Sequence, residues 1–409
     1  MLKEKRTITF FVLFFLVGSG FLPFLNFEAG ICAENTSNNT LYVGKSGNFS
    51  SIQAAIDAAT TGDTVFVYGG VYKEKIFIDK PLSLVGEDRN TAVIDGSNSS
   101  FTLIEIDASD VAVDNFTLQN TSSSGYSQAF YIFNENFHIA NFSISGCIIK
   151  NNGKGLCLRN VTNITIFNCH IYDNIGNSVL GEHVNRFRIE ECLIHDNGEP
   201  VGGEWVRAGG IDLEYPCFDL KVFDCNISDN VGFGICFGDA TNCVIEDNRI
   251  CNNSFEGIQV YRVKNSSISN NDIFYNSDGG VLLGGKRTRN VTISHNNIAY
   301  TGYYTDSLLS AGVFLNRCHG GVSILSNNIT SNSRNGLFLL NSYDNVIRDN
   351  IFVGNDCNAF FIADRFFQGN TIRHNYWDES RFLPYPFFGF VLSKMVPIPW
   401  VDFDWNPSI

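Results

Sequence analysis

The sequence predicts an all-β fold, a single-stranded parallel β-helix in which the chain winds into a solenoid of about 12–13 coils. Three observations lead to this prediction. The chain repeats every 22 to 25 residues apart from three lengthened coils, each repeat contains three short strands separated by turn residues, and only one segment has the pattern of an α-helix. Because repeat proteins grow by adding coils, the 409 residues need not divide into several domains.

The repeat is centred on one slot, which has a β-branched aliphatic residue three positions before it and a large apolar residue two positions after it. The slot residues are Phe116, Cys147, Cys169, Cys192, Cys225, Asn248, Asn271, Asn296, Asn327, Asn350 and Asn375. Stacked coils place these side chains in a ladder along the rod, where each amide can bond its neighbour and the backbone. The shared position favours packing as the role of Cys169. A disulfide between neighbouring slot cysteines stays an alternative.

One segment near the N-terminus predicts a short capping helix. In "SSIQAAIDAATTGD" Ser51 is the expected N-cap and Gly62 the expected stop. A helix at this place would cover the open end of the first coil. The residues expected on its apolar face are Ile52, Ala55, Ile56 and Ala59.

The two ends of the chain differ from the repeat. Residues 1–33 have basic residues followed by a long apolar run and small residues, which is typical of a secretory signal peptide. The parallel β-helix with its cap is expected over 34–381, and secretion or a cell-surface location follows. An uncleaved segment that anchors the chain in a membrane is the competing interpretation.

The tail, residues 382–409, is aromatic and rich in proline. Its four prolines up to position 399 argue against a membrane-spanning helix. We expect the tail to pack on an outward apolar stripe of the rod or to cap the last coil, and contact with a membrane surface is the alternative. The stripe is predicted from Leu282, Phe314, Phe338 and Phe361.

Charge limits the classes of partner. The formal net charge is -14, and nucleic-acid binding requires basic surfaces, so no nucleic-acid partner is expected. An acidic surface suits neutral polymers, cations or basic partners. Membrane contact is expected only through an uncleaved signal or the C-terminal tail.

The opening "SIQAAIDAATTGDTVFVYGGVYKEKIFIDKPLSLVGE", followed by Asn-x-Ile coils, resembles the NosD-type right-handed β-helix proteins of the pectin-lyase-like superfamily, which includes carbohydrate-binding and sugar-hydrolase modules. The resemblance covers about residues 41–378. It implies right-handed winding, export, and either polysaccharide handling or delivery of copper to an exported enzyme. Copper sites use clustered Met, Cys and His, and Met395 is the only methionine besides Met1.

A candidate site follows from a long insertion near residues 198–208 and the strand after it. Asp212 and Glu214 are two residues apart, so both carboxylates share the outward face, and Arg262 comes from a later coil. These three are the predicted catalytic residues. The predicted substrate-binding residues are Glu182, His183, Glu204, Trp205, Arg207, Asp239, Gln259 and Tyr261.

Paired carboxylates near an arginine and a tryptophan can hold Ca²⁺ or serve as acid and base on a sugar. The alternative is a solvated acidic face. His170 and His195 occupy different positions of neighbouring coils, so the pattern does not favour a metal pair there.

The predicted function is therefore an exported β-helix that binds an extracellular polysaccharide or cell-surface glycan on its lateral face. Cleavage or modification of the glycan, by a polysaccharide lyase or glycoside hydrolase, is left open. The alternative is a non-catalytic surface or accessory scaffold, including NosD-like copper delivery.

Overall fold

The computed structural model describes residues 38–122, 127–134, 138–199, 209–303, 310–364, 369–378, 385–393, 396–404 and 407. The predicted signal peptide, residues 1–33, lies outside the described residues.

Within the described residues, short strands and one short helix follow one another almost without interruption. They are β1 (Thr40–Val43), α1 (Ile52–Ala58), β2 (Thr64–Val67), β3 (Gly70–Tyr72), β4 (Ile76–Ile78), β5 (Leu82–Gly86), β6 (Ala92–Ser99), β7 (Ile104–Ile106), β8 (Val111–Asp114), β9 (Thr117–Thr121), β10 (Gln128–Ile132), β11 (Ile139–Ser145), β12 (Ile148–Lys150), β13 (Lys154–Phe167), β14 (His170–Tyr172), β15 (Val179–Glu190), β16 (Leu193–His195), β17 (Ile211–Glu214), β18 (Cys217–Phe223), β19 (Asn226–Ser228), β20 (Ile235–Gly238), β21 (Ala240–Thr241), β22 (Val244–Glu246), β23 (Arg249–Cys251), β24 (Glu256–Tyr261), β25 (Lys264–Ser269), β26 (Asp272–Phe274), β27 (Gly279–Gly284), β28 (Arg289–Ser294), β29 (Asn297–Ala299), β30 (Ala311–Asn316), β31 (Val322–Leu325), β32 (Asn328–Thr330), β33 (Asn335–Leu340), β34 (Val346–Arg348), β35 (Ile351–Val353), β36 (Cys357–Ala363), β37 (Thr371–Arg373), β38 (Tyr376–Trp377), β39 (Tyr385–Ser393) and β40 (Val396–Asp404).

The strands stack into two sheets around one interior. In the part of the chain that the structure describes, the larger sheet holds 27 strands and the smaller one 13. The larger sheet turns a corner within β13, whose first half pairs with β10 and whose second half pairs with β11. Each coil therefore crosses three faces. The predicted all-β parallel β-helix is confirmed, with about 13 turns and almost no helix.

The apolar residues that flank the slot line the interior. Ile166, Ile189 and Val222, each three positions before a slot, align in successive coils and are fully buried. Burying one such side chain stabilises the fold by roughly 1.5–3 kcal/mol relative to leaving it exposed. Because the stack continues from coil to coil, the interior forms one continuous hydrophobic cluster.

Asn271 shows how the slot ladder bonds. Its Nδ2 donates to the carbonyl oxygens of Ile245 and Ser269, each at 2.9 Å, and to Oδ1 of Asn296 at 3.0 Å. Its own Oδ1 accepts from Nδ2 of Asn248 at 3.0 Å. Each buried amide therefore satisfies backbone groups of two coils as well as the next amide.

Cysteine fills the same slot in four earlier coils, and all four side chains are buried: Cys147, Cys169, Cys192 and Cys225. The backbone N–H of Cys169 donates to Sγ of Cys192 at 3.4 Å. The described cysteines are free thiols, so packing accounts for the slot cysteines and the disulfide alternative is not realised among them.

A second amide ladder lies five positions after the slot and was missed by the prediction from sequence. Nδ2 of Asn174 donates to Oδ1 of Asn197 at 2.9 Å, and Asn197 donates in the same way to Asn230 at 3.0 Å. The sequence does contain a signal for this ladder, because asparagine recurs five positions after most slots. Its occupants are Asn152, Asn174, Asn197, Asn230, Asn253, Asn276, Thr301, Asn332 and Asn355.

The residue before each slot turns the chain through the left-handed region. Asn168, Glu191, Asp247, His295 and His374 have φ values of 50°, 53°, 58°, 57° and 59°. Asn and Asp tolerate this conformation better than most residues, which explains their frequency at the turn. His295 and His374 are turn residues of the same kind.

The predicted capping helix is present but minor. α1 has seven residues, and Oγ of Ser51 accepts a hydrogen bond from the backbone N–H of Ala54 at 3.3 Å. The predicted stop at Gly62 is wrong, because Ala59 already adopts an extended conformation with φ -70° and ψ 150°. The predicted apolar face is buried: Ile52, Ala55, Ile56 and Ala59.

The predicted outward stripe needs one correction. Leu282, Phe314 and Phe338 align in successive coils, and the next member is Phe360 rather than Phe361. Phe361 is fully buried in the interior. Side chains along a strand alternate between the two faces, and β36 pairs with β33 in a register that turns Phe360 outward and Phe361 inward.

The described part of the tail forms a hairpin at the C-terminal end of the rod. β39 pairs in parallel with β36, and β40 pairs antiparallel with β39. Oδ2 of Asp404 accepts hydrogen bonds from Nδ2 of Asn375 at 3.1 Å and from Nε1 of Trp377 at 3.0 Å, so Asp404 ends the slot ladder. Among the described residues, no helix has the length and apolar character needed to cross a membrane.

Replacing a ladder amide should destabilise the fold far more than replacing an exposed amide. We expect Asn271→Ala to lower the free energy of unfolding by about 1–3 kcal/mol, because buried backbone carbonyls lose their donor. Asn297→Ala is the matched control, since Asn297 is exposed and bonds Asp272 at 3.2 Å. Chemical denaturation followed by circular dichroism measures both, and equal losses would contradict the role of the ladder.

Candidate functional site

A cleft of about 540 Å³ opens on one face of the larger sheet. Five successive coils contribute to it, at the ends of β17, β20, β24, β27 and β30. At a rise of about 4.8 Å per coil, the cleft is roughly 19 Å long. Its polar groups come from Glu214, Asp239, Gln259, Arg262 and Asn316, and its aromatic rings from Tyr215 and Tyr261.

Coil-on-coil register brings together residues that are distant in sequence. Glu182 aligns with Glu214, and Asp212 aligns with Cys236, which in turn aligns with Gln259. Because alternate strand residues face outward, these side chains share one surface. The structure therefore places the predicted residues of neighbouring coils side by side.

Asp239, Tyr261 and Arg262 form the centre of the cleft. Nε of Arg262 donates to Oδ1 of Asp239 at 2.5 Å, Nη2 donates to the other carboxylate oxygen, and the guanidinium lies 4.6 Å from the ring centroid of Tyr261. The next coil has Gly284 and Gly285 below them. A Cβ at Gly284 would meet the Tyr261 ring at 2.5 Å, and one at Gly285 would meet Cγ of Arg262 at 2.8 Å. The glycine pair therefore makes room for both side chains.

The ion pair also sets the protonation of its members. The hydrogen bond from Arg262 lowers the pKa of the Asp239 carboxyl below its ordinary value, against a smaller opposing effect of burial. The same hydrogen bond raises the pKa of Arg262. Arg262 therefore stays protonated and can bind an oxygen-rich ligand, but it cannot accept a proton at neutral pH.

Glu214 and Cys236 line the cleft, and Asp212 lies beside them. One donor atom from each lies within 4.8 Å of the other two, and Oδ2 of Asp212 accepts from Nδ2 of Asn177 at 3.5 Å. Asp212 is half-buried and Cys236 is buried. The predicted pair of carboxylates on one face is therefore present, with a thiol as its neighbour.

The donor set of this cluster is a poor fit for Ca²⁺. Ca²⁺ takes six to eight oxygen ligands, whereas the third donor here is a sulfur atom, which prefers softer ions. The described donors of this cluster therefore do not make a Ca²⁺ site.

The remaining predicted residues belong to the coil that precedes the cleft or lie outside the described residues. Nε of Arg159 lies 3.3 Å from Oε2 of Glu182, and the His183 ring centroid lies 5.7 Å from that of Tyr215. The insertion residues outside the described residues are Glu204, Trp205 and Arg207.

Three residues of the site were missed from the sequence, and one of them is Asn316 at the end of β30. Cys236 stands in the strand "GICF" and faces outward beside Asp212, a position that alternation along the strand predicts. Tyr215 directly follows Glu214 and turns back to the cleft because its φ is 69°. A tyrosine in the left-handed region is uncommon, so no sequence signal indicated its direction.

Comparison with known families agrees with this architecture. A family model described as a right-handed beta helix region matches residues 89–217, 209–289 and 285–383, which together span well over half of the chain. The chain belongs to this family. No curated protein matches its sequence significantly.

Solved structures with the same fold include carbohydrate-active enzymes and an adhesin. The A-module of a mannuronan C-5 epimerase from Azotobacter vinelandii is 18% identical, with a TM-score of 0.64 over 78% of this chain and 94% of that one. A DFA-IIIase from Arthrobacter chlorophenolicus is 14% identical, with 0.56 over 83% and 94%. PfbA, a surface adhesin of Streptococcus pneumoniae, is 14% identical, with 0.54 over 87% and 95%. At these identities the likeness establishes the fold.

The Asp239–Arg262 pair should make stability depend on pH in the acid range. Because the pKa of Asp239 is lowered in the folded chain, its contribution is complete above the unfolded value of about 3.9 and is lost as the pH falls through the folded value. At pH 7 we expect the free energy of unfolding of wild type to exceed that of Asp239→Asn by roughly 0.2–1 kcal/mol, as is typical of a surface pair, so that wild type melts at the higher temperature.

That difference should shrink as the pH is lowered below about 4. In an Arg262→Gln background the same Asp239 substitution should have a smaller and less pH-dependent effect. Thermal melting of the four proteins between pH 7 and pH 3 measures this cycle, and a constant difference across the range would contradict the pairing.

Proposed function

We propose that this chain is an exported protein that binds a polysaccharide along the cleft of the larger sheet. The observation that supports it best is the shape of the cleft, which runs over five coils and has two exposed tyrosines beside hydrogen-bonding side chains. Tyr215 is 54% exposed and Tyr261 38% exposed. Large exposed rings in a cleft are available for contact with the apolar faces of sugars.

The polar groups between these rings suit sugar hydroxyls. Arg262 donates, Asp239 accepts, and the amides of Gln259 and Asn316 do both. Asp239 and Arg262 hold each other in place, so little side-chain conformational freedom is lost when a ligand binds. An elongated array of such groups fits a polymer better than a compact small molecule.

Charge points to a neutral polysaccharide. Glu214 and Asp239 contribute two negative charges to the described lining, against one positive charge from Arg262, and Asp212 lies beside them. The chain as a whole carries -14. A polyanion would meet repulsion over most of this surface. We therefore assign neutral glycans to the cleft, and the apparent affinity for them should depend weakly on salt.

Substitution of Tyr261 should weaken binding. Tyr261→Ala should reduce affinity for a neutral polysaccharide at least about tenfold, because it removes an aromatic contact and the support for Arg262. Gly284→Ala should have a similar effect by displacing the same ring. Titration calorimetry after a screen of soluble neutral glucans, mannans and xylans measures these effects, with polygalacturonate as the charged comparison.

Tyr275→Ala is the matched control for that experiment. Tyr275 is 47% exposed but lies in the turn after β26 of the smaller sheet, away from the cleft. Its substitution should leave binding unchanged. The proposal would be contradicted if Tyr275→Ala lost affinity while Tyr261→Ala did not, or if wild type bound no glycan. Either result would favour a scaffold without a ligand.

Cleavage of the bound glycan is a second candidate function. It is favoured by the proximity of Asp212 and Glu214, whose carboxylate oxygens come within 4.8 Å. A separation of about 5–5.5 Å is typical of retaining glycosidases, whereas inverting enzymes need about 6.5–9.5 Å to admit a water molecule. The spacing of this pair is nearer to the retaining range than to the inverting one, so retention is the outcome that we propose for any hydrolysis here.

Product analysis tests the second candidate separately from binding. Wild type should release reducing ends from the glycan that it binds, and Asp212→Asn and Glu214→Gln should each lower the rate at least about a hundredfold, as expected for loss of an acid–base group. Glu246→Gln, on another face, should keep full activity. Product formation that survives both site substitutions would exclude this pair, and binding without product would leave only the first proposal.

Copper delivery, the accessory role that a NosD-like protein would have, is not part of this proposal. The described cysteines are buried, apart from Cys357. Burial raises the pKa of Cys217 to about 11 and those of Cys243 and Cys318 to about 12. Buried thiols that stay protonated are poor ligands for a soft ion.

A further inference from the structure

Two imidazoles meet on the outer surface of the smaller sheet, away from the cleft. His170 begins β14 and His195 ends β16. In the backbone register His170 aligns with Leu193, and His195 aligns with Tyr172. The side chains nevertheless lean toward each other, so that the two Nε2 atoms lie 2.7 Å apart. The expectation from sequence, that different positions keep these histidines apart, holds for the backbone but not for the rings.

The surroundings orient both rings. The ring of His195 stacks on Tyr172 at 5.2 Å with an interplanar angle of 8°, and the ring of His170 lies 4.2 Å from the same tyrosine. Nδ1 of His195 lies 2.6 Å from Oδ2 of Asp196. Because a carboxylate only accepts, this contact places a proton on Nδ1 and leaves a lone pair on Nε2 of His195.

In the present contact His170 supplies the proton that lies between the two Nε2 atoms. If that proton moves to Nδ1 of His170, two lone pairs point at the same position. A histidine whose other nitrogen donates to a carboxylate is the usual arrangement of a metal ligand, since the carboxylate holds the tautomer and strengthens the donor. Asp196 has this position behind His195.

We propose that His170 and His195 bind one borderline divalent transition-metal ion, such as Zn²⁺, Ni²⁺ or Cu²⁺, through their Nε2 atoms. Imidazole is the protein ligand that these ions share. With metal–nitrogen distances of about 2.0–2.1 Å, tetrahedral ligation separates two nitrogens by about 3.3 Å, so the rings need to open by less than about 1 Å. Water completes the coordination, because the side chain of His195 is 22% exposed.

The local charges allow a cation to enter. Arg89 and Lys150 oppose it, while Asp173 and Asp196 favour it. The ion would join two coils whose ligands are 25 residues apart, and it should therefore raise the melting temperature.

Metal titration of the full chain, made without a polyhistidine tag and freed of metal by a chelator, tests the proposal. Zn²⁺ should bind with one ion per chain and raise the melting temperature, whereas Ca²⁺ should do neither. His170→Gln and His195→Gln should each abolish this binding. Asp196→Asn should weaken it about 10–100-fold, the usual loss when a carboxylate behind a ligand is removed.

His374→Gln is the matched control, since Asp349 lies 3.7 Å from Nδ1 of His374 and repeats the histidine–carboxylate pair at another place. It should bind Zn²⁺ like wild type. A readout that needs no substitution is electron paramagnetic resonance of the wild-type protein with one equivalent of Cu²⁺, which should show two coordinating nitrogens. No binding of Zn²⁺, fewer than two nitrogens, or stoichiometric binding that survives both histidine substitutions would each overturn the proposal.

Discussion

Coil-on-coil register is the constraint on which the rest of this structure depends. Each coil must stack on the previous one without a shift, because a slip of one residue would turn every interior side chain outward. The two amide ladders enforce that register. An amide such as Asn271 bonds the next coil, the previous coil and its own turn at once, and a shifted coil would leave those buried groups without partners.

Exact stacking outside the core follows from exact stacking within it. The outward positions of successive strands form columns that run along the rod, and the chemistry of the surface is determined by which residues share a column. Asp212, Cys236 and Gln259 stand in one such column, whereas Leu282, Phe314 and Phe338 continue the same column as an apolar stripe. A polar cleft and an apolar surface therefore follow each other on one face.

Cysteine, histidine and asparagine have different roles in the interior and on the surface. In the slot, Asn and Cys are compact residues that complete the ladder, and before the slot Asn, Asp and His provide a left-handed turn. On the outer face of a strand the same residue types do not have this structural role. His170 and Cys236 are in this position, and both lie in clusters of possible ligands.

The sequence by itself determined the parallel β-helix, because interior positions obey a local rule that repeats eleven times. It also placed Glu182, Asp212, Glu214 and Gln259 on neighbouring coils, since strand alternation and repeat length suffice for that. Tertiary structure alone decided the rest. The register that turned Phe361 inward depends on where β36 begins, and the direction of Tyr215 depends on one backbone angle. The meeting of His170 with His195 depends on side chains that lean across a strand, which no rule about positions in a repeat describes. Periodicity specifies which face a residue occupies, whereas contacts on that face depend on rotamers and turns that only the packed structure selects.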